Sequence, residues 1–81
     1  MKLTVYDPKG DMVFEGSPLS QGVISKDIPE PVYSYLVSSW TAWSRRRPDA
    51  AFEDYWKDYV AHRLPTSLGI AYQGYVAKVE T

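Results

Sequence analysis

Cysteine is absent from the 81 residues, which excludes disulfides, thiolate metal ligands and a thiol nucleophile. Histidine occurs once, as His62, near the end of an apolar periodic stretch where an imidazolium favours a helix C-terminus. No serine lies in a Gly-x-Ser-x-Gly elbow, and the glycines at 10, 16, 22, 69 and 74 are too dispersed for a phosphate loop. Glu53, Asp54 and Asp58 could offer carboxylates on one helical face, but this reads better as a solvated acidic face than as a metal site. The expectation is therefore a protein that is not an enzyme, with no metal and no cofactor.

Charge of one sign is lacking as well. Nine basic and ten acidic side chains leave a net charge of −1, against both a general nucleic-acid binder and an acidic nucleic-acid mimic. Met1 to Thr4 has no signal-like apolar region, and the longest uncharged run, Pro31 to Ser44, is too short to cross a bilayer. A soluble, cytoplasmic protein with no membrane contact is expected.

What the chain does have is aromatic side chains. Eight of twelve fall between Tyr33 and Tyr59, at helical spacing, and are split by Arg45-Arg46-Arg47-Pro48. A single domain this small (residues 1–81) buries only about 60–65% of its unfolded surface. Each fully buried aromatic removes roughly 150–250 Å² from water, which offsets part of that shortfall. An oligomer interface, in the simplest case a homodimer, is the other way to complete such a core.

The local pattern predicts an α+β fold in the order β-β-α-α-β, a small antiparallel sheet packed against an antiparallel helix pair. Lys2 to Tyr6 alternates as a strand, Asp7-Pro8-Lys9-Gly10 makes a type I turn, and Met12 to Glu15 returns. Pairing Asp7 with Asp11 sets Val5 opposite Val13, and Thr4 opposite Phe14 on the other face. Residues 17–28 read as a loop in which Val23-Ile24-Ser25 could form a short strand, and Asp27 with Glu30 resembles a capping box.

Helix one is expected from about Glu30 to Arg46, with Val32, Tyr33, Leu36, Val37, Trp40 and Trp43 as its apolar stripe and Tyr35 off it. Helix two is expected from about Pro48 to His62, with Phe52, Tyr55, Trp56, Tyr59, Val60 and Arg63 at i, i+3, i+4, i+7, i+8 and i+11. One long helix kinked at Pro48 is the alternative. Ile70 to Val79 reads as the last strand, with a change of phase at Gly74 that suggests a bulge.

These features point to a protein-interaction module: an adaptor, subunit or inhibitor of a larger host machine, of a size common among phage or mobile-element accessory proteins. Tyr35, Trp43, Arg45, Arg46, Arg47 and Tyr55 are the expected partner-binding patch, because Trp, Tyr and Arg dominate binding hot spots. The bland reading of the arginines is a solvated helix end paired to Asp49 or Glu53, worth about 0–1 kcal/mol per pair. The alternative function is nucleic-acid binding through Arg45, Arg46, Arg47, Lys57 and Arg63 with Trp43 stacking, which is less expected given the net charge.

Overall fold

In the computed structural model, which describes residues 1–64 and 74–81, the chain forms a three-stranded antiparallel sheet, a small hairpin and two helices. β1 (Lys2–Tyr6) is the central strand, flanked by β2 (Met12–Gly16) and by β5 (Val76–Glu80). The turn between β1 and β2 forms as its residues dictate. The Asp7 carboxylate accepts from the amides of Lys9 and Asp11, both at 2.9 Å, and Gly10 takes a φ of 90°.

The register differs from the expected one by a bulge. Asp7 meets Asp11 and Tyr6 pairs with Met12, but Val5 pairs with Phe14 and Thr4 with Glu15, so Val13 is skipped. The extra residue turns Phe14 onto the face that carries Leu3 and Val5, while Val13 stays exposed. A regular ladder would have placed the phenyl ring on the outer face.

Residues 17–28 contribute more than a loop. β3 (Leu19–Ser20) and β4 (Val23–Ile24) form a two-residue hairpin around Gln21 and Gly22, which both have positive φ, 53° and 81°. Positive φ at both central positions matches the right-handed twist of the strands, as in type I′ turns. Ile24 and Ile28 then enter the core.

α1 spans Glu30–Arg46 as expected, entered through Pro29 and closed at Arg47, whose φ of −134° is the extended geometry favoured before proline. The Asp27–Glu30 capping box does not form. Glu30 accepts instead from the Ser34 hydroxyl at 2.7 Å, and the Asp27 amide donates to Ser25.

The second helix starts four residues later than Pro48 would have it. α2 opens at Phe52–Tyr55, passes through a π-helical turn at Trp56–Val60 and continues as α-helix over residues 61–64. Its start is set by Asp54, whose carboxylate accepts from the Ala51 amide at 3.1 Å. Arg47 to Ala51 is not helical, so the single kinked helix is not formed. β5 begins at Val76, and Gly74, with φ 98°, lies in the turn before it rather than in a bulge. The expected start of that strand at Ile70 lies outside the described residues.

The core joins Leu3, Val5 and Ala77 of the sheet to Val32, Leu36 and Trp43 of α1 and to Tyr55, Trp56, Val60 and Leu64 of the second helix. The Trp56 indole N–H donates to the Glu80 carbonyl at 2.9 Å, tying that helix to β5.

Candidate cationic cleft

Ser39, Ala42, Trp43 and Arg46 recur at i, i+3, i+4 and i+7 and so share one face of α1. Opposite them, Asp58, Tyr59 and Arg63 come from the π turn and the helical residues after it. Together with Arg47 these side chains line a cleft of about 430 Å³ between the two helices. Three arginines line it against one carboxylate-bearing residue, Asp58.

Two of the three arginines are held over aromatic rings. The Arg47 guanidinium lies 4.9 Å from the Trp43 ring centroid, and that of Arg63 lies 5.2 Å from the ring of Tyr59. Such contacts stabilise by about 0.5–1 kcal/mol at exposed sites, and they leave the edges of the planar fork free to donate. Neither Asp49 nor Glu53 pairs with the arginine cluster. The ion pair found among the described residues is Lys2 with Glu15, at 3.3 Å in the sheet.

The expected patch is only partly assembled. Arg46 and Arg47 line the cleft; Arg45 is exposed and is not among its lining residues. Tyr35 is half-buried beside the core. Trp43 is only 8% exposed and forms the cleft wall rather than a free surface anchor. Tyr55 is fully buried, a correction to its expected place on the surface. Its ring packs with Trp40, Trp43, Phe52 and Tyr59, at centroid separations of 5.1–5.7 Å. The phenol can enter the core because its polar end is satisfied: it lies 2.6 Å from the Ser39 Oγ and donates to the Leu36 carbonyl at 3.2 Å. Burial pushes its ionisation well above the ordinary value of 10.0, with the Ser39 hydrogen bond acting the other way.

Tyr59, Arg63 and Asp58 were absent from the expected patch. An α-helical reading of the second helix assigned Tyr59 and Arg63 to the buried stripe and Asp58 to the opposite face. The π turn keeps the expected Val60 in the core and brings Leu64 there in place of Arg63; Val60 and Leu64 are fully buried and Arg63 is exposed. Lys57, the other cation of the nucleic-acid reading, lines a separate concavity with Glu53 and Asp54.

A second concavity, of about 460 Å³, is mainly apolar and lies between the β3–β4 hairpin, α1 and Phe52. Val23, 62% exposed, and Val37 are its most open apolar groups. Among the described residues no group of three or more His, Asp or Glu side chains is placed to hold a metal ion, and no helix is long and apolar enough to cross a membrane. Comparison with protein-family models, with curated proteins and with solved structures finds no match.

Proposed function

We propose that this chain is a non-enzymatic protein-interaction module, an adaptor, subunit or inhibitor of a larger assembly, that takes an acidic segment of its partner into the cationic cleft. The observation that carries this reading is the convergence of Arg46, Arg47 and Arg63 on one concavity, with none of them in an ion pair among the described residues. Ordering a rotamer-rich side chain on binding costs about 0.5–1.5 kcal/mol. Stacking on Trp43 and Tyr59 meets part of that cost before the partner arrives. A charge-assisted hydrogen bond then contributes roughly 1.5–3 kcal/mol, so two or three of them give useful affinity.

The same features speak against a nucleic-acid groove. Three cations surround a compact cleft instead of tracking a strand, and Asp58 inside it, with Glu53 and Asp54 on the same helix, repels a continuous phosphate backbone.

Affinity capture from lysate at low and high salt, with wild type beside an Arg46/Arg47/Arg63→Gln variant, tests this. The expected result is a defined protein held at both salts by the wild type and lost with the variant. Capture of nucleic acid only at low salt, or equal capture by the variant, would contradict it.

A further inference from the structure

The charges around the cleft do not match a lone carboxylate. Arg46, Arg47 and Arg63 face it against Asp58, leaving an excess of two positive charges. A single Asp or Glu side chain neutralises one of them, whereas a phosphate monoester carries about −1.5 to −2 at neutral pH and three acceptor oxygens on one centre. We infer that the cleft takes a phosphorylated side chain of the partner protein, an inference that rests on the interaction-module reading above.

The geometry suits that ligand in three respects. The volume, about 430 Å³, lies within the range of about 300–1,000 Å³ seen for small-ligand sites and admits a phosphorylated side chain without a lid. The two stacked guanidiniums come from the residue that closes α1 and from the second helix, so they can reach different oxygens of a tetrahedral group. The aromatic walls of Trp43 and Tyr59 replace water beside the charges, which strengthens the attraction relative to open solvent. Ser39 also lines the cleft, but its one hydroxyl proton is shared between the Tyr35 carbonyl at 2.8 Å and the Tyr55 phenol at 2.6 Å, so the arginines are the donors that serve the anion. Asp58 is then the discriminating group: it opposes a second anionic neighbour while leaving enough charge for one dianion.

The test is an NMR titration of the folded chain that follows the arginine side-chain N–H signals. The probes are inorganic phosphate, a short phosphoserine peptide, its glutamate counterpart, a six-glutamate peptide and an oligothymidylate. The phosphopeptide is expected to saturate with shifts at Arg46, Arg47 and Arg63, binding about tenfold or more tighter than the glutamate counterpart because more charge faces the same forks. Asp58→Asn is expected to tighten phosphopeptide binding, and Arg47→Gln with Arg63→Gln to abolish it while amide dispersion shows an intact fold. Equal or tighter binding of either glutamate peptide would overturn the phosphate assignment and leave the interaction module standing. Binding of neither peptide class, or binding dominated by the oligothymidylate, would overturn both.

Discussion

Tyr55 is the residue whose place is least obvious from its type. A phenol at a helix end beside an arginine cluster suggests a surface anchor, yet this one is fully buried with its hydroxyl bonded into α1. Tyr55→Phe removes one bridging hydroxyl and is expected to cost about 1 kcal/mol, close to the net value of a typical hydrogen bond. In a domain of this size that lowers the melting temperature by roughly 4–8 °C, readable by circular dichroism. The buried phenol also makes stability pH-dependent at the alkaline end. The unfolded chain ionises Tyr55 near 10.0, whereas the folded chain does so only well above that value. Unfolding in that window therefore releases a proton, so the stabilising contribution is complete below about pH 10 and is lost as pH rises beyond it. The Phe variant is expected to lack this loss, and the wild-type advantage to shrink in alkaline denaturant melts. The arginines behave in the opposite way. Arg47→Gln and Arg63→Gln remove exposed groups, so each is expected to change stability by no more than about 1 kcal/mol in urea melts while weakening partner binding.

The second helix shows what a sequence pattern can and cannot give at the level of an element. Its core-facing residues, the partly buried Phe52 and the fully buried Trp56, Val60 and Leu64, are spaced by four, and each such step overshoots a 3.6-residue turn by about 40°. In a regular α-helix three steps would drift by about 120° and carry Leu64 off the core. The π turn, marked by the Ala61 amide reaching back to the Trp56 carbonyl, takes up an extra residue and holds the stripe together. The α-helical template found Phe52, Tyr55, Trp56 and Val60 but assigned Arg63 where Leu64 belongs, because propensity contains no signal for an i+5 bond. Deleting exposed Lys57 restores spacings of four, three and four, which an α-helix accommodates. That variant is expected to remain folded with a regular second helix by backbone chemical shifts, and to keep Tyr59 and Arg63 beside α1, because each stays one residue before the buried Val60 and Leu64. Unfolding of the variant would contradict this account of the π turn. The β1–β2 hairpin teaches a similar lesson: Asp7, Pro8 and Gly10 made the turn legible, while the bulge at Val13 answers to where Phe14 finds the core, a tertiary demand.

At the scale of the molecule, the order of sheet and helices was readable because hydrophobic periodicity and turn residues agree over β1, β2 and α1. Within residues 17–28 the strand at Val23–Ile24 was readable and its pairing with Leu19–Ser20 was not, because β3 and β4 are two residues each and too short for any periodicity. The site was legible in its arginines and not in its partners. Arg46 and Arg47 stand out as a charge cluster, but Arg63, Tyr59 and Asp58 join them only through the packing of one helix on another. Trp56 ties the second helix to β5. Trp56→Phe removes the bond to Glu80 and part of the buried ring, and is expected to cost about 2 kcal/mol, with amide exchange rising first in β5. The central claim, that the inter-helix cleft is the contact surface, is tested most directly by hydrogen-exchange mass spectrometry of the captured complex against the free protein. Protection is expected in residues 39–47 and 58–63. Protection confined to the β3–β4 groove or to the outer sheet strands, with those two segments unchanged, would contradict it.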